Sequence, residues 1–537
     1  MLEDIAAAPK PMLAGASERR NRRAGVLLPL FSMRQSRNWG VGEIDDIVAA
    51  AAWAASAGFS VLQLLPVNAV GNDVSPYAAV SAFALDPVYL SLDSCEDFLK
   101  AGGRDALSAA ARDEIAALAA SDLVLWNRVR AVKQEGARLA FERFLRDEWQ
   151  ASTSRARKLG AFMKKNRAWL DDYALFVVLH DRHRKAWSDW PSDLQNRAPD
   201  AIGELRRESA DALLKIAWVQ WQLDVQWSKA RREARRRGVE LMGDLPFTVA
   251  MDSADVWANR AIFRTDLHVG TPPDDSSPTG QDWGLPVYDW AALRRSNFGW
   301  LRARAARAGQ LFGIYRVDHV AGFYRTFFRS SDGKTSGFSP DDEAAQIGLG
   351  ESIVRLMQPF GEIVAEDLGV LPSFLRPSLE RLEVPGYRVL RWEKDEGQYR
   401  DPAGWPVMSV ATTSTHDTTT NAEWYDRLSL DERKALARIP DMRHIDPSAR
   451  FDDSVRDALL RTVYRAPSTL VLVTFQDAMG LRDRVNVPGT LADTNWTYRM
   501  PVDFGVLASD ERSSHRLLEL AKEAGRAPAT AEASAAR

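Results

Sequence analysis

The stretch Leu311-Phe312-Gly313-Ile314-Tyr315-Arg316-Val317-Asp318-His319-Val320-Ala321-Gly322-Phe323-Tyr324-Arg325 decides the fold. Its first five residues are an apolar run that stops abruptly at Arg316 to His319 and then reaches a glycine. An apolar run without polar alternation suits a parallel strand covered on both faces, and charges at its carboxyl end lie where a ligand meets the sheet. Asp318 is therefore the first candidate functional residue.

The pattern recurs on either side. Val239 to Asp244 closes on an acid, Glu362 to Asp367 closes on two, and Met408 to Ala411 runs on to Thr415-His416-Asp417. In a closed parallel barrel every strand ends on the same face, so acids scattered along the chain converge on one pocket. Ala24 to Leu28, Ser60 to Leu65, Gly386 to Trp392 and Thr469 to Thr474 complete a set of strand-like runs, with helical patterns between most of them, such as Ile44 to Gly58, Leu375 to Leu382 and Leu428 to Ala437. Eight strands with interposed helices predict an α/β protein of the (β/α)8 TIM barrel class.

Working outward, residues 1–22 read as a flexible leader and 521–537, rich in Ala, Glu and Pro, as a disordered tail. The barrel is expected over 23–520. Residues 101–238 show only helical patterns and form an expected insertion between strands two and three, ending in the basic run Arg231-Arg232 and Arg235-Arg236-Arg237-Gly238. Cations in a last helical turn before glycine offset the helix dipole, a better account of that run than an anion site. Residues 248–300 are expected to be an active-site loop region, with Asp252 or Ser253 as a helix cap and Gly270 to Pro286 as a lid or binding loop.

Composition limits the function. The 537 residues carry 70 basic and 73 acidic side chains, a net charge of -3, which gives no pull toward nucleic acid or an anionic membrane surface. Neutral substrates fit best. No apolar stretch is long enough to span a bilayer, and the single cysteine, Cys95, has no intrachain partner for a disulfide, so a cytoplasmic protein is expected. The 18 tryptophans offer flat faces for sugar rings, although core packing accounts for most tryptophans in a globular chain.

Two carboxylates flanking a reactive centre are what glycosidic bond cleavage requires, one protonated to donate to the leaving oxygen and one ionised to attack. Asp318, with Arg316 beside it, suits the nucleophile. Glu366 follows an apolar strand and has Asp367 as a like-charged neighbour, so desolvation and repulsion both raise its pKa toward that of a general acid. Asp417, next to His416, is placed to hydrogen-bond sugar hydroxyls. Carboxylates at barrel strand ends also suit Mg²⁺ and enolate chemistry, but no lysine ends a candidate strand and Arg316 opposes a cation at Asp318. No metal or cofactor is expected.

Taken together, Ser75-Pro76-Tyr77, Ser81-Ala82-Phe83, Gly243-Asp244-Leu245-Pro246, Asp252 to Trp257, Gly270 to Pro286, Arg316-Val317-Asp318-His319, Ala365 to Gly369, Pro385 to Leu390, Thr415-His416-Asp417, Gln476-Asp477 and Asn486-Val487-Pro488 resemble the 4-alpha-glucanotransferases, the amylomaltases or disproportionating enzymes of the alpha-amylase superfamily. The resemblance implies a retaining transfer of α-1,4-glucan segments between maltooligosaccharides or onto glucose. It implies Asp318 as nucleophile, Glu366 as acid/base and Asp417 as transition-state stabiliser. Arg316 and His416 become donor-site contacts, Tyr77 and Trp283 sugar contacts and Asn486 part of a loop over the acceptor, with Ser75 and Asp367 also among the substrate-binding residues. The chain departs from the family at Val320-Ala321-Gly322-Phe323, where Phe-Arg-Gly-Phe is common, and at Thr418-Thr419. An α-amylase-type hydrolase and a glucan-binding protein without turnover are the alternatives.

Overall fold

The computed structural model describes residues 22–273, 278–490 and 492–528. Eight parallel strands close into a barrel: β1 (Arg23–Leu27), β2 (Val61–Gln63), β3 (Glu240–Leu245), β4 (Ile314–Val317), β5 (Glu362–Ala365), β6 (Gly386–Val389), β7 (Ser409–Thr412) and β8 (Leu470–Thr474), with β1 paired to both β2 and β8. The (β/α)8 expectation holds, with shifts at the strand ends. Leu311 belongs to the preceding helix, Gly299–Leu311, and β4 carries on through Arg316 and Val317. A guanidinium therefore sits within a buried strand, which a hydropathy pattern does not foretell; Asp244 on β3, its register partner, supplies the compensating charge.

Alternate residues of the strands fill the barrel. Val61, Met242, Ile314, Val364, Tyr387, Val389, Val410, Leu470 and Leu472 form one buried cluster inside it, and a larger apolar layer joins the strands to the surrounding helices. Each strand is thus covered on both faces, which is why the strands read as continuous apolar runs.

Between β2 and β3 the chain is helical, chiefly Ala109–Ala120, Trp126–Phe144, Ser154–His183 and Ala210–Arg236. Val129, Val132 and Phe144 are buried as their spacing requires. Asp97, with no exposed surface, ties the last three of these helices together by accepting from Arg143 at 2.8 Å, Arg155 at 2.6 Å and the Trp218 indole at 3.2 Å. The last helix also packs on Asp46–Ser56 and on β3, so it serves the barrel as well as the insertion. Its basic end is structural: Arg231 donates to the carbonyls of Gly309, Gln310 and Phe312, which close the helix before β4, and Gly238 takes the left-handed φ of +75°.

Two expectations change. The expected loop region supplies two strands, Phe263–Thr271 and Gln281–Tyr288, of a four-stranded antiparallel sheet completed by Thr326–Ser330 and Ser336–Ser339. Glycine or proline interrupts the first two, the last two are only five and four residues long, and the pairing partners lie as far on as Ser339, so a periodicity reading misses the sheet. The expected disordered tail begins too early, since the helix Glu511–Glu523 crosses position 521 and Ala521 is fully buried. Arg526, 1% exposed, donates to the carbonyls of Tyr464, Arg23, Ser468 and Ala466 and fastens this end of the chain beneath the barrel strands. The expected leader, apart from Arg22, and residues 529–537 of the expected tail lie outside the described residues, as do residues 274–277 of the expected lid.

Candidate active site

Strand register brings the two leading acids together. Val317 on β4 pairs with Ala365 on β5, and the next residue on each strand is Asp318 and Glu366. The ladder continues past the strand ends: Asp318 N–H donates to Leu245 O at 3.1 Å and Glu366 N–H to Val317 O at 3.0 Å. Both side chains line a cleft of about 1100 Å³ at the carboxyl ends of the strands.

Arg316 is the charge between them. Its Nη1 lies 2.8 Å from Asp318 Oδ1 and 2.8 Å from both oxygens of Asp244, and its Nη2 lies 4.0 Å from Glu366 Oε2. The positive charge among these carboxylates is thus a guanidinium. Burial alone would depress its pKa, but Asp244, Asp318, Tyr77 and Glu366 together raise it well above the ordinary value, so it stays ionised.

The carboxyls are tuned apart. Burial pushes the Glu366 pKa up from about 4.5 to about 7, with Asp318 and Asp367 adding to the rise against the opposing pull of Arg316 and of the His319 N–H. That N–H donates to Glu366 Oε2 at 2.7 Å, and Leu368 N–H donates to Oε1 at 3.1 Å. His319 holds the left-handed conformation, φ +45° and ψ +54°, uncommon for a side-chain-bearing residue. This backbone turn aims its N–H at the acid, and strain of this kind collects at sites that use it.

Asp417 lies on the loop after β7. Burial disfavours its charge, yet His416, 3.3 Å away, and the Asn486 amide, which donates at 2.7 Å, hold its pKa down to about 2. Burial likewise works against protonation of His416, and Asp417 outweighs it, raising the histidine pKa. Tyr77 joins the two sides of the cleft: its hydroxyl donates to Asp244 at 2.8 Å, meets His416 Nε2 at 3.0 Å, and its ring stacks on the His416 ring at 5.6 Å. Arg484 fixes the loop after β8 to that after β7, donating to the carbonyls of Asp417 at 2.9 Å and Asn486 at 3.1 Å.

A match to the family model for 4-alpha-glucanotransferase covers residues 28–503. The chain belongs to this family. It is 29% identical over 494 residues to the 4-alpha-glucanotransferase of Chlamydia pneumoniae, covering 89% of this chain and 91% of that one. It is 31% identical over 464 residues to that of Thermus thermophilus, covering 83% and 88%. The fold superposes on the amylomaltase of Streptococcus agalactiae in complex with acarbose with a TM-score of 0.81 at 22% identity, covering 94% of this chain and all of that one.

In this 4-alpha-glucanotransferase the cleft gathers Asp318, Glu366, Asp417, Arg316, His416, Tyr77, Ser75, Trp283 and Asn486. Asp367 is absent from the described lining. Its carboxylate turns away, accepts from Tyr387 N–H, Arg376 and Arg388, and is 1% exposed, so its expected contact with substrate gives way to a role in holding β5 to β6. Gly386 permits this, because a Cβ there would stand 2.6 Å from the Asp367 carboxyl. Gly270 to Pro272, Gly280 to Trp283 and Leu285 form one wall of the cleft, and Asn486, Pro488 and Gly489 lie on another. Trp283 meets His319 edge to face at 5.0 Å. Of the tryptophans, Trp283, Trp392 and Trp496 line the cleft, and most of the others are buried packing.

Sequence reasoning did not assign roles to several residues that support the site. Asp477 accepts from Thr413 Oγ1 at 2.8 Å, from Ser414 Oγ and from Asn421 N–H at 2.7 Å, while Arg391 donates to the carbonyls of Thr413 at 3.0 Å and Thr419 at 2.8 Å. These two buried residues brace both ends of the loop carrying His416 and Asp417. The Gln476-Asp477 motif was the available signal for one; nothing local marks Arg391.

Proposed function

We propose that this enzyme moves α-1,4-glucan segments from a maltooligosaccharide donor to a second oligosaccharide or to glucose by a retaining double displacement. The observation that carries the reading is the pair Asp318 and Glu366 at adjacent strand ends, one against Arg316 and the other raised to about 7.

In the first step Asp318 attacks the anomeric carbon, the bond to the departing 4-oxygen breaks, and Glu366 gives that oxygen its proton. Arg316 favours the attacking carboxylate, and Asp417, ionised, is available to the hydroxyls of the distorting sugar. The glycosyl ester then removes the charge on Asp318. Since that charge is one of the causes raising the Glu366 pKa, Glu366 becomes a weaker proton holder at the moment it must act as base. In the second step it takes the proton of an acceptor 4-hydroxyl, which displaces Asp318 and restores both carboxyls.

Transfer requires the ester to outlast water, so acceptor binding must supply the positioning that bulk water lacks. The cleft walls bearing Trp283 and Asn486 support that role. The lone Cys95 accords with a reducing cytoplasm; among the described residues no helix is long and apolar enough to cross a membrane.

Maltotriose alone tests the proposal. A ladder of longer oligomers with glucose is the expected product set. Maltose and glucose alone would mean hydrolysis, and unchanged maltotriose would leave a binding protein.

A further inference from the structure

Two arginines line the cleft among the described residues, Arg316 and Arg325. Arg316 is spent on three carboxylates, but Arg325 has no such partner. Its backbone N–H closes the short helix Val320–Tyr324 on Ala321. Its guanidinium lies over the Phe338 ring, 4.3 Å from the centroid, and no described acceptor lies within hydrogen-bond reach of its N–H groups. Burial lowers its pKa, with Glu343 the opposing charge.

An arginine on a cleft wall with five side-chain donors uncommitted to the protein, and none of them sealed from solvent, is free to offer those donors to the oxygens of a ligand. The surroundings indicate what. Phe327 and Phe338 meet edge to face at 5.2 Å across paired strands of the antiparallel sheet, and both line the cleft. Contact with the face of Phe338 localises the guanidinium and leaves its N–H groups uncommitted, so they can serve as a fork for vicinal oxygens. Ala321, at the start of the same short helix, also lines the cleft. Asp282, an acid on the same wall, pairs with His268 at 3.2 Å.

We infer that Arg325, held over Phe338 on the wall built by the antiparallel sheet, is a glucosyl-binding subsite, its fork donating to neighbouring hydroxyls of a sugar unit remote from the bond that is cleaved. The inference rests on the proposed transfer reaction and adds a determinant of chain length to it. The residue acts in binding only, since the acids and their partners are complete without it.

The test compares the wild type with Arg325→Met and Arg325→Lys on maltotriose through maltoheptaose and on α-glucosyl fluoride, with the melting temperature of each variant recorded. Arg325→Met should lose about tenfold in kcat/KM on those oligosaccharides long enough to reach the subsite, as expected for hydrogen bonds to a charged group. It should keep the wild-type rate on the fluoride, which occupies only the reacting position. Arg325→Lys, with charge but no fork, should fall between. A wild-type dependence on chain length in Arg325→Met, with or without a lower melting temperature, overturns the inference and leaves the arginine as packing on Phe338. An equal loss on every substrate including the fluoride overturns it as well. A wild type that fails to disproportionate maltotriose is a failure of the proposed reaction and is seen before any variant is made.

Discussion

The backbone N–H of His319 donates to the Glu366 carboxyl at 2.7 Å, so the residue directly after Asp318, the proposed nucleophile, holds the proposed acid. The nucleophile and acid/base candidates are thus coupled through one peptide, and moving either strand end moves both. Asp318→Asn is expected to abolish turnover while glucan binding, measured calorimetrically, persists. Glu366→Gln should slow maltotriose disproportionation by about 10²- to 10⁴-fold and the use of α-glucosyl fluoride far less, because fluoride leaves with little protonation. Equal losses on the two donors would remove Glu366 from the acid role.

The raised pKa of Glu366 also has a stability consequence of definite sign. Between about 4.5 and about 7 this group keeps its proton in the folded protein and loses it in the unfolded chain. The unfolded state then binds fewer protons, so stability falls as pH rises through that window. Glu366→Gln removes the effect. The melting temperature of the variant relative to wild type should therefore climb from pH 4.5 to 7 and level off above it, as followed by scanning calorimetry. In the wild type, kcat/KM should decline above about pH 7 as the acid is lost.

Asp417 behaves oppositely. Its pKa is held at about 2 against an ordinary 3.8, so its ionised form contributes stability that is present above the ordinary value and lost as pH falls toward 2. Asn486→Ala removes one of the hydrogen bonds responsible, at 2.7 Å. It is expected to raise the Asp417 pKa and to cut kcat/KM on maltotriose by about tenfold, a charge-assisted bond contributing roughly 1.5 kcal/mol or more. Titration of the Asp417 carboxyl by NMR reads the first effect directly.

Trp283 stands edge to face with His319 at 5.0 Å and donates its indole N–H to Gln281 at 3.0 Å, leaving ring surface on the cleft. Trp283→Ala is expected to raise the ratio of hydrolysis to transfer by about fivefold, the loss of an aromatic contact worth about 1 kcal/mol to the acceptor. Free reducing ends against transferred glucose measure it. A uniformly lower rate at constant ratio would make Trp283 a packing residue.

Arg526 supplies a prediction on stability alone. Arg526→Ala would leave the buried carbonyls of Tyr464, Arg23, Ser468 and Ala466 without this donor. A loss of roughly 3 kcal/mol in denaturant unfolding is expected, with kcat little changed in the fraction that stays folded.

What the sequence determined by itself was the barrel and the convergence of its acids. Each barrel strand is buried on both faces, so its apolar run is legible without knowing its neighbours, and a closed parallel sheet leaves only one face where Asp318, Glu366 and the Asp417 loop can meet. What only the tertiary structure decided depended on partners distant in sequence. The sheet from Phe263 to Ser339 needs cross-strand pairing to be recognised at all. Asp367 follows Glu366 directly and is an acid like it, yet it is turned out of the cleft by Arg376, Arg388 and the Tyr387 N–H. Arg316 and Arg325 are both arginines near the end of β4, and one is saturated by carboxylates while the other is left to an aromatic ring. Local sequence sets which groups a residue carries; whether a charge is matched, buried or free for a ligand is set by which other groups the fold brings within a few ångströms, since electrostatic and hydrogen-bond energies fall off over that distance.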